Sequence, residues 1–157
     1  AIKILNNKNI SLDIIGPSQD YEYFKLCSSF LKKNKLENIK LLGSMTKEEV
    51  IQMYSKYDVF CMPSIVEGVS MALIEAASFG LASIISNGVG NYLEILEDNA
   101  GLLTKKNSCD IANTILKIYK NESLLNLLKR NAYISSLKRY NINIIGVKLM
   151  QEYRRII

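Results

Sequence analysis

The sequence contains no histidine. That removes Ser-His-Asp and Cys-His nucleophile arrangements and any metal site built on imidazole. Chemistry must then come from carboxylates, hydroxyls, lysines, backbone amides or the substrate itself. Cysteine is scarce. Cys27, Cys61 and Cys109 are odd in number and far apart, with no C-x-x-C pair, so neither a disulfide framework nor a zinc site is expected. They read as reduced thiols of a cytoplasmic protein, and Cys61, inside an apolar run, reads as core. No apolar run approaches the ~18 residues a membrane-crossing helix needs. The opening AIKILNNKNI lacks the basic-then-apolar pattern of a signal peptide. Arginine is absent before Arg130.

What is present suffices for a domain with its own core: 157 residues, 48% of them apolar. The net charge of +5 is unevenly placed. Residues 1–100 hold nine lysines against twelve acids, whereas residues 101–157 hold eleven lysines or arginines against three. A basic helical tail can be a solvated face, or it can meet an anionic membrane surface, an acidic partner domain or nucleic acid. Nucleic acid is not the expected partner.

Short apolar runs alternate with longer segments of helical period. Strands are expected at Ser11–Ile15, Ile39–Leu42, Asp58–Met62, Leu81–Ile85 and Gly101–Leu103. Helices are expected at Tyr21–Asn34, Thr46 to about Lys56, Ser70–Phe79, Asn91–Leu96, Ile111–Tyr119, Glu122–Arg139 and Asn143–Ile156. Thr46-Lys-Glu-Glu49 has the form of a capping box, and Gly80 is placed to end its helix at C′. Phe24, Leu26, Cys27, Phe30 and Leu31 form the inner side of the first long helix. The alternation predicts an α/β fold, a Rossmann-like doubly wound parallel sheet with a helical C-terminal tail over residues 122–157. Runs such as VFCM, and ASII apart from Ser83, are apolar throughout, as expected of strands covered on both faces. AIKILNNK reads as the end of a helix feeding the first strand, so the chain is expected to be one domain of a longer protein, without its own first strand.

The informative stretch is PSIVEGVSMALIEAASFG, residues 63–80. It leaves a strand, passes a loop with one glycine and enters a helix, and ligands of open parallel sheets bind beyond the carboxyl ends of strands. Gly68 lets a ligand approach the backbone. Val69, Ser70 and Met71 bring N–H groups to a helix N-terminus, which suits phosphate or sugar oxygens. Glu67 can accept two hydrogen bonds from adjacent sugar hydroxyls. Glu75, flanked by Ile74, Ala76 and Ala77, needs a partner, and a ribose diol would serve. The plainer alternative is that Glu67 is a solvated loop acid and Glu75 pairs with a lysine.

Taken in order, these segments resemble the donor-site pattern of GT-B glycosyltransferases of family 4, the glycosyl transferases group 1. That pattern runs P-S-x-x-E-G-F-G/S-x-x-x-x-E-A-M-A-x-G-x-P, against PSIVEGVSMALIEAASFGLA here. SLDIIGP, IKLLGSM, MYSKYDVFCMPS, NGVGNYLEIL and NAGLLT are similar to the family's flanking segments, so the resemblance spans about residues 10–120. Among the departures from it, Val69 replaces an aromatic, Ala82 a proline, Asn91 the second glycine of V-G-G, and the G-x-G-P turn at Gly16 has lost one glycine.

The resemblance implies a C-terminal nucleotide-sugar-binding domain, with a separate N-terminal domain for the acceptor. It implies a retaining transferase of hexosyltransferase type that uses a nucleoside-diphosphate sugar to build polysaccharide, lipopolysaccharide or glycolipid. Glu67 would be the catalytic-site carboxylate on the transferred sugar, with Gly68, Val69, Ser70 and Met71 on sugar and phosphate. Glu75 would bind the ribose, Gly43, Ser44 and Met45 the base, and Gly16 the cleft near the nucleotide. The family's Arg and Lys for the diphosphate would precede residue 1. No cofactor and no metal are expected, because no D-x-D-like pair is present. The fragment alone is expected to be inactive, and the whole protein cytoplasmic and peripheral on the inner membrane face. Two alternatives remain open at this point: a non-catalytic nucleotide-binding module, and a UDP-sugar epimerase-like half of the same fold.

Overall fold

The computed structural model describes residues 1–156. The chain divides into two compact units, residues 1–53 and 54–157.

The first unit is short of core. Helix α1 (Ile2–Leu5) stops where Asn6 turns left-handed at φ 45°. Strand β1 (Leu12–Ile15) then runs parallel to β2 (Ile39–Gly43), joined by helix α2 (Tyr21–Lys33). Asp20 caps α2 by accepting the Tyr23 N–H at 2.9 Å. Asn38 donates its side-chain amide to Ile10 O at 2.6 Å, tying together the entries of the two strands. The capping box forms as expected: Glu49 N–H reaches Thr46 Oγ1 at 3.2 Å, and Thr46 N–H reaches Glu49 Oε2 at 2.7 Å. It opens helix α3 (Lys47–Tyr54), whose last residue already belongs to the second unit. Only Ile2 is buried among the apolar residues of this unit. Leu26 and Phe30, expected on the inner side of α2, are instead exposed, Leu26 by 67%. A two-stranded sheet is too narrow to cover a helix of 13 residues. Phe30 takes the Lys3 ammonium over its ring at 5.4 Å.

The second unit holds the core. Strands β3 (Val59–Met62), β4 (Ala82–Ile85) and β5 (Gly101–Leu103) form a parallel sheet in the order β3-β4-β5. The intervening helices are α4 (Met71–Ser78) and α5 (Tyr92–Glu97), followed by α6 (Ser108–Tyr119), α7 (Glu122–Arg139) and α8 (Ile142–Ile156). Every residue of β4 is buried, because alternate side chains enter two different clusters. Ile85 joins Leu73, Ala77, Val89, Ile95, Ala100 and Ala132. Ala82 and Ile84 join Ile118 and Leu128. Gly80 takes the left-handed φ of 74° that ends α4, as its position predicts. Helix α6 starts a turn earlier than its apolar pattern indicates, because Asn107 caps it through the Asp110 N–H at 2.9 Å.

The parallel strands, the alternating helices and the helical tail agree with the α/β expectation. Strand hydrogen bonds link them as two separate sheets, β1-β2 and β3-β4-β5.

Candidate functional site

The loop after β3 is seamed to the loop after β4. Glu67 N–H donates to Gly88 O at 2.7 Å, and Gly90 N–H is shared between Glu67 O at 3.1 Å and Gly68 O at 3.0 Å. Ser86 Oγ donates to Ser64 O. The approach is close enough to require glycine. A Cβ on Gly88 would lie 2.3 Å from the carbonyl oxygens of both Ser64 and Ile65, and one on Gly90 would lie 2.9 Å from Gly68 C. Lys106 Nζ reaches Ile65 O at 3.4 Å from the far side of the same loop.

The seam leaves the loop's outer residues accessible. Glu67, Gly68 and Val69 are exposed, and a Cβ at Gly68 would meet nothing within 4 Å. Ser70, by contrast, is buried and serves as the α4 N-cap, its Oγ accepting the Leu73 N–H at 3.3 Å. Its own N–H donates to Asn91 Oδ1 at 3.3 Å. Met71 opens the helix and is exposed. The positive end of the α4 dipole therefore sits beside an exposed carboxylate and an exposed glycine.

Glu75 lies about one turn inside α4 and is half-buried. One of its partners is a phenol. The Tyr54 hydroxyl bonds to the Glu75 carboxylate. Burial raises the Tyr54 hydroxyl above its usual pKa, and the charge and hydrogen bond of Glu75 raise it further. The same hydroxyl lies 3.4 Å from Ala72 O, and the Tyr54 ring stacks on Phe79 at 5.5 Å between centroids.

In the first unit, Gly16 follows β1 and its N–H donates to Gly43 O at 2.9 Å, so these two residues adjoin at the carboxyl ends of their strands. Gly43 takes φ 74° and leads into exposed Ser44 and half-buried Met45. Among the described residues no group of three or more acids or cysteines is placed to hold a metal ion.

Residues 1–135 match the family described as glycosyl transferases group 1. The chain belongs to that family. It is 30% identical over 154 residues to the uncharacterized glycosyltransferase MJ1178 of Methanocaldococcus jannaschii, covering 96% of this chain and 43% of that protein. It is 29% identical over 149 residues to the Escherichia coli UDP-Gal:alpha-D-GlcNAc-diphosphoundecaprenol alpha-1,3-galactosyltransferase, covering 90% of this chain and 37% of that protein. This glycosyltransferase chain therefore spans less than half the length of these relatives. Its fold is that of GT-B glycosyltransferase structures. Anabaena Alr3699/HepE in complex with UDP superposes with a TM-score of 0.85 at 16% identity, over 98% of this chain and 43% of that one. The C-terminal domain of LpcC from Francisella tularensis gives 0.70 at 23%, over 79% of this chain and 65% of that one.

Sequence reasoning did not anticipate Tyr54, Asn91 or the two loop glycines as parts of this arrangement. Asn91 had a visible signal, since it stands where the resemblance has glycine. Tyr54 had none in its spacing, because its partner lies 21 residues away on another helix.

Proposed function

We propose that this chain is the donor-binding, C-terminal half of a retaining family 4 glycosyltransferase. The whole protein takes a nucleoside-diphosphate hexose and extends a lipid-linked or polysaccharide glycan. The observation that carries this reading is the seamed loop ahead of α4. Its two flanks are tied down, while the Glu67 carboxylate and the Gly68 backbone remain open beside a helix N-terminus.

In this reading Glu67 accepts hydrogen bonds from the hydroxyls of the transferred sugar. Gly68, Val69 and Met71 offer backbone amides to sugar and phosphate, and Ser70 sets their direction. Glu75 accepts the ribose diol, oriented by Tyr54. Gly16, Gly43, Ser44 and Met45 are assigned to the nucleoside end of the donor. Cations that neutralise the departing diphosphate come from outside this chain, and no metal is needed. Supporting the donor class, the Escherichia coli relative is named for UDP-Gal, and solved relatives of this fold hold UDP and UDP-glucose. Retention fits that relative's name as well, because UDP-galactose is an α-glycoside and the product is α-1,3-linked.

The acceptor of that relative is a diphosphoundecaprenol glycan, a lipid. Helix α8 suits work at a cytoplasmic membrane face. Ile142, Ile145, Leu149, Tyr153 and Ile156 share one side at helical spacing, Lys148, Arg154 and Arg155 lie outside it, and none of the helix is buried among the described residues. No described helix is long and apolar enough to cross a membrane.

The test is transfer from UDP-, GDP- and ADP-hexoses by the whole protein. Glu67→Gln is expected to lower transfer by about 100-fold or more without changing the melting temperature, and chelator should leave the rate intact. Wild-type transfer by Glu67→Gln would sink the reading. The 157-residue chain alone is expected to bind donor weakly and to transfer nothing.

A further inference from the structure

Asn91 is 1% exposed, yet it carries a carboxamide. Burying that group is costly unless both its ends are hydrogen-bonded, and both are. Its Oδ1 accepts the Ser70 N–H at 3.3 Å, and its Nδ2 donates to Tyr140 Oη at 3.4 Å.

The placement of those two partners gives the residue its significance. Ser70 is the N-cap of α4, at the end of the loop that begins with Glu67. The backbone seam between the two loops ends at Gly90, whose N–H already serves Glu67 and Gly68. Asn91 extends that seam by one further bond, using its side chain where the backbone ladder has run out. On its other side, Tyr140 is the C-cap of α7, two residues before α8 begins. The neighbouring Arg139 holds Asp98 at the far end of α5, with Nη2 2.9 Å from Oδ1. Consecutive residues at the end of α7 thus grip α5 at both its N-cap and its C-cap.

We propose that Asn91 is a positioning residue of the loop 67–70, and that through Tyr140 the setting of this loop is coupled to the joint between α7 and α8. The proposal rests on the reading of that loop as the sugar-donor site. Asn91 touches no substrate in it. It fixes the direction of the Ser70 amide and hence of the amides on either side. A shift of α8 that turned the Tyr140 ring would release one end of the carboxamide and loosen the other.

The test separates loop order from donor binding. Amide hydrogen exchange is followed by NMR in the 157-residue chain and in Asn91→Ala, Tyr140→Phe and the double variant. Exchange at Ser70 should quicken by about tenfold in Asn91→Ala and by about threefold in Tyr140→Phe, with β4 amides such as Ile84 unchanged. The double variant should be no faster than Asn91→Ala, since both act through one carboxamide. In the whole protein, Asn91→Ala should raise the KM for the UDP-sugar about tenfold while kcat changes less than threefold, a split that general destabilisation does not produce. Tyr140→Phe keeps the ring and carries the test should Asn91→Ala fail to fold. Unchanged Ser70 exchange in Tyr140→Phe, additive effects in the double variant, or an unchanged donor KM would each overturn the proposal. A whole protein that binds no nucleotide-sugar would overturn the donor reading beneath it, and would do so whatever the exchange data show.

Discussion

Arg139 holds Asp98 with two nitrogens at once: Nε lies 2.5 Å from Oδ2 and Nη2 lies 2.9 Å from Oδ1. Ser135 Oγ adds a third bond to Oδ2 at 2.6 Å. Such a bidentate pair at a largely buried carboxylate is the kind of ion pair that contributes to stability.

Its consequence is a dependence on pH. The Arg139 hydrogen bond is the main cause holding the Asp98 carboxyl down at about 2, against an ordinary value near 3.8, and burial opposes it only in part. A folded-state pKa below the unfolded one means the contribution is complete above about pH 4.5 and disappears as pH falls toward 2. The difference corresponds to about 2 kcal/mol. Asp98→Asn should lower stability at pH 7 by about that amount and flatten the stability–pH curve between pH 5 and 2. Urea melts across that range measure it.

Tyr54→Phe keeps the ring stacked on Phe79 and removes only the hydroxyl that faces Glu75. Folding should be little affected, within about 1 kcal/mol. Affinity for UDP should fall by roughly three- to tenfold in the whole protein, because the Glu75 carboxylate loses the bond that orients it. Calorimetry with UDP checks it, and Glu75→Ala should show a larger loss with the same sign.

Gly88→Ala and Gly68→Ala should part company. The first drives a methyl to 2.3 Å from two backbone carbonyls, and neither can yield without opening the seam, so a loss of about 2–4 kcal/mol is expected. The second meets nothing within 4 Å, so stability should change by less than about 0.5 kcal/mol while donor binding weakens. Thermal melts beside UDP-sugar titrations distinguish them.

Cys109 should react ahead of Cys61. Cys109 is exposed at the start of α6. Cys61 is half-buried in β3, and burial pushes its thiol up to about 11. At pH 8 roughly one Cys61 in a thousand is thiolate, so a disulfide reagent should label Cys109 at least about tenfold faster. Mass spectrometry of partly labelled chain reads this directly.

Local chemistry was sufficient for most of the elements. The β4 run ASII is apolar at Ala82, Ile84 and Ile85, as a strand covered on both faces favours, and that pattern is visible in the letters alone. Thr46 and Glu49 make a capping box whose two partners are three residues apart, so it too is readable without coordinates. The loop ahead of α4, with its acid and its glycine, follows from the same short-range logic, whereas Ser70, read as the first helical residue, is the buried N-cap.

What the letters left open depended on residues far apart in the chain. That Leu26 and Phe30 are exposed reflects how little sheet lies beneath α2, which no helical wheel records. The bonds from Tyr54 to Glu75, from Asn91 to Ser70 and Tyr140, and from Arg139 to Asp98 are each set by packing of separate elements. Sequence determined which groups stand in one turn or one strand, because those distances are fixed by backbone geometry. Only the tertiary structure decided which distant side chains meet, because burial makes each polar atom find its partner from whatever the fold brings beside it.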